Sequence, residues 1–413
     1  MMLGLVFGAT TINYLDRANL SVVAPLLAKD LALSPVQMGL LFSAFAWSYA
    51  ISNLPGGFIV DRFGVRLVYG LAQFIWSAAT FTQGFVGSFA AIFGLRLGVG
   101  VAESPAFPAN NRVVTTWFPQ RERGFATSVY VAGQYIGTAL FTPLLFWLAG
   151  AQGWRSVFLL TGSAGIIWAG IWFFYYRDPR QCARANEREL HEIESGGALT
   201  GGVARAPVRW LQVRQLFRYR QIWAICLGKF CISCTLYFFL TWFPTYLIKE
   251  RHMTMLNAGF FATLPYIAAT VGVLCGGFWS DWLLRRGVAM SLARKLPIVT
   301  GFAGVTVIAL ANFTSSNALA ITILSFAFFA QGVSSTSWSI ISEVAPKELI
   351  GITGGVCNFA GNLAGVFTPI TIGFILRETG SFDWALGLVG IAGLVGALSY
   401  TLLLGPIHRI VLK

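Results

Sequence analysis

What most limits the fold of this chain is a run of twelve apolar segments. They lie at about 2–27, 37–60, 67–86, 89–117, 123–149, 155–176, 219–248, 256–284, 296–312, 317–343, 350–376 and 383–406. Each, wound as a helix, is long enough to cross about 30 Å of hydrocarbon. Backbone polar groups in lipid have no water to bond, so segments of this length must satisfy them internally, as helices do. With 56% of residues hydrophobic and 11% charged, the chain reads as an all-α integral membrane protein of twelve transmembrane helices. No cleavable signal peptide is expected, because the first apolar segment is itself of spanning length.

The net charge of +13 does not indicate a nucleic-acid partner. The basic residues fall at helix ends and in one loop rather than on a soluble face. Even-numbered connections and the C-terminus hold Arg62, Arg66, Arg121, Arg123, the arginines from Arg177 to Arg220, Arg285, Arg286, Arg294, Lys295, Lys347, Arg409 and Lys413. Odd-numbered connections hold only Lys29, Arg155, Lys249, Arg251 and Arg377. Cytoplasmic connections carry the lysine and arginine excess, so both termini are expected in the cytoplasm. One long polar break divides the helices six and six. The expected organisation is an N-terminal six-helix bundle over 1–177, a cytoplasmic linker over 178–218 and a C-terminal six-helix bundle over 219–413. Glu187-Arg-Glu-Leu-His-Glu-Ile-Glu194 in the linker can form a short amphipathic helix along the membrane surface.

The two halves repeat. Gly57-Phe-Ile-Val-Asp61 has a degraded partner in Gly277-Phe-Trp-Ser-Asp281, Gly133-Gln134-x-x-Gly137 in Gly361-Asn362-x-x-Gly365, and Phe141-Thr-Pro143 in Phe367-Thr-Pro369. Matches in the same order at nearly one offset argue for a duplicated six-helix unit, the plan of alternating-access carriers with their sites near the bilayer midplane.

Charged residues inside such helices are costly and tend to face a watery cavity or each other. Arg96 and Glu103 lie seven residues apart on one face of the fourth helix, about 10 Å along its axis. Asp16-Arg17 lies within the first. Burial opposes the charge of Asp16 and the adjacent guanidinium supports it, so an anion competing for the arginine can change its protonation. Two structural ion pairs holding helices together account for the same residues. Gly57-x-x-x-Asp61-Arg62-x-Gly64-x-Arg66, between helices 2 and 3, suits either a salt-bridge latch that opens and closes with the transport stroke or an ordinary cytoplasmic loop. No metal-ligand spacing, nucleophile–base set or phosphate-binding loop is present, so neither an enzyme nor an ATP-driven pump is expected.

The Asp61 motif is similar to the signature loop of the major facilitator superfamily. Tyr14-x-Asp16-Arg17-x-Asn19-Leu20, Phe42-Ser-Ala-Phe-Ala-Trp47, Glu103-x-Pro-x-Phe-Pro108, Trp117-Phe-Pro119-x-x-Glu122-Arg123 and Thr241-Trp-Phe-Pro244 resemble its anion:cation symporter branch, which takes sugar acids such as galactonate, glucarate and hexuronates. The resemblance spans the chain. It implies proton-coupled import of a sugar-acid carboxylate across a cell inner membrane, by a monomer with no cofactor beyond the proton gradient. By resemblance Asp16 and Glu103 are the protonation sites, with Arg17 and Arg96 their partners and one arginine on the substrate carboxylate. Gln134 and Asn358 match substrate positions. Ser335, Ser337 and Trp338 suit a polyol chain, and Tyr14 and Tyr49 can line the cavity. Asn362 suits a helix–helix hydrogen bond equally well. Lys229 is a departure, standing where the aldonate and aldarate relatives carry glutamine. About 15 Å into its helix, it adds a second cation suited to a dicarboxylate, unless it snorkels to the surface. A proton antiporter exporting organic ions or drugs is the alternative on the same fold.

Overall fold

The computed structural model describes residues 1–120, 122–182, 185–198, 214–346 and 349–410, with positions 54, 338, 342, 350 and 351 described by backbone alone. Among the described residues every regular element is a helix. Nine helical spans there are long and apolar enough to cross a membrane. The chain divides into two compact units, one of residues 1–32 and 44–206, the other of 33–43 and 207–413.

In the first unit, helix α1 (Met2–Asp30) is followed by α2 (Pro35–Phe63), α3 (Val65–Gln83), α4 (Phe89–Glu103), α5 (Ala106–Trp117), α6 (Arg123–Gln152), α7 (Trp154–Tyr175) and the short α8 (Glu187–Ser195). Residues 35–43 of α2 cluster with the second unit. Gly64 joins α2 to α3 at φ +81°, a left-handed backbone that side chains resist, which explains the glycine in that motif. Small residues set the close approaches. A Cβ on Gly162 of α7 would stand 2.5 Å from the Phe81 backbone of α3. Lacking water-driven collapse, membrane helices pack through such contacts. Tyr69, Trp172 and Tyr176 form a buried aromatic series in this unit, with ring centroids 4.6 Å and 4.5 Å apart along it.

The second unit holds α9 (Arg220–Tyr237), α10 (Phe243–Lys249), α11 (Met255–Arg285), α12 (Met290–Val305), α13 (Asn317–Ser334), α14 (Ser337–Val344), α15 (Ile350–Thr379) and α16 (Asp383–Leu398). Phe239 stacks on Phe328 at 4.1 Å, and Trp242 donates its indole N–H to the Pro369 carbonyl at 3.0 Å.

Several segments expected as single helices are interrupted. The span at 89–117 breaks between α4 and α5 at Ser104-Pro105, where proline has no N–H to continue the ladder. The span at 317–343 breaks at Ser335-Thr336. The span at 219–248 widens to a π-turn over Phe238–Trp242, just ahead of Pro244, and that at 296–312 tightens to a 3-10 helix over Thr306–Phe313. In the expected linker, residues 183–184 and 199–213 lie outside the described residues. Helix α8 is capped by Asn186, whose Oδ1 accepts from the Glu189 N–H at 2.8 Å. The turn after it docks on the α5–α6 connection, where Gln120 donates its N–H to the Gly196 carbonyl at 2.8 Å and Arg123 reaches the Gly197 carbonyl at 2.7 Å.

Candidate functional site

The charged residues of α1 and α4 meet inside the first unit. Gly100 lets α4 press against α2, since a Cβ there would strike the Phe45 carbonyl and the Ser48 hydroxyl. That approach carries Phe45 and Tyr49 up to Arg17. Arg17 donates Nε to Glu103 Oε2 at 3.0 Å, and its Nη2 lies 3.0 Å from the same oxygen. Its guanidinium also stands over three rings, 4.5 Å from the Phe45 centroid and 4.9 Å from those of Tyr14 and Tyr49. Cation–π attraction of this kind strengthens when desolvated. The Glu103 side chain is fully buried, whereas that of Arg17 keeps 11% exposure.

The pairing expected from order along the chain is not the one formed. Asp16 and Arg17 are consecutive, so their side chains leave the helix about 100° apart. The Asp16 carboxyl turns into the unit, towards Trp76 of α3 and Thr161 of α7. Neither reaches hydrogen-bonding geometry, and both carboxyl oxygens are buried without a partner. Nor does Arg96 bond Glu103. It gives Nη1 to the backbone carbonyl of Asp16 at 3.1 Å and lies 5.9 Å from the Phe45 centroid. Buried polar residues continue beyond the charges. Asn110 donates to Thr10 Oγ1 at 3.0 Å, Asn19 donates to Thr161 Oγ1 at 3.1 Å, and both side-chain polar atoms of Asn13 are buried without partners. Gln134 lies half-buried on α6, whose Gly133 and Gly137 rest on Thr11 of α1.

In the second unit Lys229 is buried within α9 rather than snorkelling to an end. Beside it Cys226 and Cys357 bring their sulfurs to 3.7 Å, both thiols being free. Asn358 is half-buried next to Cys357, and its carbonyl accepts from Asn362 Nδ2 at 3.0 Å. Asn362 in turn accepts from Tyr237 at 3.3 Å, the helix-to-helix role. Ser335 lies in the break, half-buried, and Ser337 opens α14 with a buried hydroxyl lacking a partner. The Trp338 side chain lies outside the described residues.

Asp61, Arg62 and Arg66 are exposed at the α2–α3 junction. Arg66 donates to the Phe173 carbonyl at 3.0 Å. The degraded copy of that motif also holds a cluster: Arg294 contacts Asp281 and Glu343 at 3.0 Å each and the Ser280 hydroxyl at 2.9 Å. Sequence reasoning counted Arg294 only as topological charge. It also passed over Phe45, although Phe45 and Tyr49 fall one helical turn apart.

Membrane-spanning helices with guanidinium and carboxylate groups buried together, as among the described residues, are the inventory of a carrier. The profile of the Major Facilitator Superfamily matches residues 6–369, and the chain belongs to that family of multi-pass membrane transporters. Its members are transporters rather than enzymes and carry no prosthetic group. Among individual proteins it is 42% identical to the probable galactarate/D-glucarate transporter of Escherichia coli K12, over 99% of this chain and 94% of that one. It is also 42% identical to the D-galactonate transporter of Escherichia coli O6:H1, over 99% and 96%. A crystal structure of a bacterial homolog of the human lysosomal transporter Spinster has the same fold, with a TM-score of 0.76 at 20% identity, covering 97% of this chain and 95% of that one.

Proposed function

We propose that this protein is a proton-coupled symporter that imports a sugar acid of the galactarate, glucarate or galactonate kind across a bacterial inner membrane. The observation that carries the reading is the Arg17–Glu103 pair, set among three aromatic rings, with the Glu103 side chain fully buried and that of Arg17 11% exposed. A substrate carboxylate is a chemical copy of the Glu103 carboxylate. Arriving at Arg17, it competes for Nε and Nη2, a fork suited to planar carboxylates. Glu103, stripped of its arginine in an apolar setting, can stay buried only if a proton neutralises it. Anion and proton are thereby bound together, and loss of the proton lets Glu103 retake Arg17 and expel the anion. Asp16, a buried carboxyl linked to Arg96 through its own backbone, is the second proton site in this reading.

The remaining assignments belong to the same proposal. Gln134, Asn358, Ser335, Ser337 and Trp338 contact the polyol chain, Tyr14 and Tyr49 shape the pocket around Arg17, and Lys229 reads a second carboxylate. Asp61, Arg62 and Arg66 act as a cytoplasmic latch. A monomer of two six-helix bundles, over 1–177 and 219–413, joined by a cytoplasmic linker with both termini inside, completes it. The names of the relatives, a probable galactarate/D-glucarate transporter and a D-galactonate transporter, support the substrate class. Uptake of labelled galactarate, glucarate, galactonate and glucuronate into proteoliposomes tests it. Accumulation should follow an imposed proton gradient and collapse with an uncoupler. Accumulation indifferent to both would end the symport claim.

A further inference from the structure

Helix α3 is built inside out. Leu67, Leu71, Phe74 and Ile75 are 44–53% exposed, while Tyr69, Gln73, Trp76, Ser77, Thr80 and Gln83 are each at most 1% exposed. Spacings of three and four keep the polar set on one face, over fourteen residues or about 21 Å. This face packs on α7, where a Cβ at Gly165 would strike the Ser77 hydroxyl and stand 3.4 Å from Gln73 Nε2. Trp76 and Thr161 flank the Asp16 carboxyl from α3 and α7. Along the series Tyr69 Oη, Gln73 Oε1, Trp76 Nε1, Thr80 Oγ1, Gln83 Oε1, Asn19 Oδ1 and both Asp16 oxygens are buried with no partner.

Buried polar atoms are nearly always bonded. Water is the molecule that serves a row of them, each water taking two to four polar partners. We infer that the inward face of α3 is a hydrated proton route joining the 84–88 connection to the Asp16 carboxyl through the interior of the first unit. Gln83 stands one residue before that connection, whose Phe85, Gly87 and Ser88 are exposed. Each hop passes a proton from one water oxygen to the next, the α3 side chains holding the waters by hydrogen bonds, and the last leaves it on an Asp16 carboxylate oxygen. The proton thus reaches Asp16 without passing the Arg17 guanidinium. The charged groups near Asp16 are Arg17 on its own helix and Arg96 and Glu103 from α4. Neither α3 nor α7 turns a charge on it, since Arg66 and Arg155 are exposed at their helix starts. Polar groups serving only as glue between helices would bond across the interface; here the bonds of Gln73 and Gln83 stay within α3, to Ser77 and the Ala79 carbonyl, and the atoms named above have no partner.

The inference rests on the symport reading and on the outward placement of the 84–88 connection. It is tested with the full chain in proteoliposomes, using galactarate and galactonate as probes. Thr80→Val removes a hydroxyl at constant shape, and Gln83→Leu removes the outermost amide. Each should slow proton-driven uptake and the accompanying internal acidification about tenfold. Counterflow, in which the carrier exchanges substrate without discharging its proton, should stay within about twofold, and Thr80→Ser should restore uptake. Uptake and counterflow falling together would assign these groups to packing and overturn the route. Thr80→Val uptake equal to wild type would overturn the route alone, whereas wild-type protein that ignores the proton gradient overturns the symport reading and the route with it.

Discussion

The helix breaks at Ser104-Pro105 and Ser335-Thr336 stand 231 positions apart, close to the offset of the duplicated motifs. They interrupt corresponding helices, yet their contents differ. The first follows Arg96 and ends on Glu103. From Asn317 to Ser337 the second has no charged residue at all, only the buried polar Gln331, Ser334 and Ser337. Among the described residues the buried Asp, Glu, Lys and Arg are Asp16, Arg96 and Glu103 in the first unit and Lys229 in the second. The helix break is present in both units, whereas three of these four buried charges lie in the first. A broken helix frees carbonyls and lets a chain bend in either unit, whereas a buried charge is expensive and persists only where chemistry uses it.

Removing the centre of that chemistry gives the largest expected effect. Arg17→Ala strands Glu103 as a buried unpaired carboxylate, a change that costs about 3–5 kcal/mol in comparable pairs. Thermal unfolding in detergent should drop sharply, and sugar-acid binding by calorimetry should weaken at least about 100-fold. Arg17→Lys should recover little, because one ammonium cannot replace both guanidinium contacts or the stack on three rings. Binding retained by Arg17→Ala would move the substrate arginine elsewhere, with Arg96 the candidate.

Next come the carboxyls. Asp16→Asn and Glu103→Gln each hold the shape and remove a proton site. Accumulation driven by a proton gradient should fall at least about tenfold while counterflow persists. Glu103→Gln should also loosen the hold on Arg17 and so tighten substrate binding, a sign that Asp16→Asn should not share. Intact pH-dependent accumulation in Glu103→Gln would remove it from the proton sites. In the second unit Lys229→Gln tests whether its lone buried charge reads substrate. Galactarate uptake should fall about fivefold more than galactonate uptake, about 1 kcal/mol of discrimination. An equal fall in both would make Lys229 a structural cation.

Much of this frame is legible in the sequence, and what is not has physical reasons. Asp16, Arg17, Arg96 and Glu103 stand out because lone charges in apolar segments are conspicuous. Which of them pair is not legible, because adjacent residues on a helix point apart and the partners come from a helix some eighty residues away. The break after Glu103 sits in an unbroken apolar run, and only Ser104-Pro105 signalled it. The inward face of α3 was hidden by its apolar average, although Gln73, Ser77, Thr80 and Gln83 recur at helical spacing within it. Phe45 was one aromatic among 35 phenylalanines, and only the close approach at Gly100 sets it apart.

The smallest expected effect completes the comparison by repeating the buried pair's chemistry in the open. Asp30, at the end of α1 beyond the apolar stretch, accepts from the Trp154 indole N–H at 2.9 Å and from Arg155 at 3.1 Å. Those hydrogen bonds, Trp154's first, hold its carboxyl below the ordinary aspartate value. Its contribution to stability is therefore present above the unfolded-chain value of about 3.9 and disappears as pH falls through the lower folded value. With Arg155 and Asp30 side chains 47% and 48% exposed, the pair is hydrated and screened. Asp30→Asn should lower the unfolding temperature only slightly at pH 7, less so in high salt, and the gap to wild type should narrow as pH falls below the unfolded-chain value of about 3.9. A gap as large as that of Arg17→Ala, or one that ignores pH, would mean that burial is not what separates the two ion pairs.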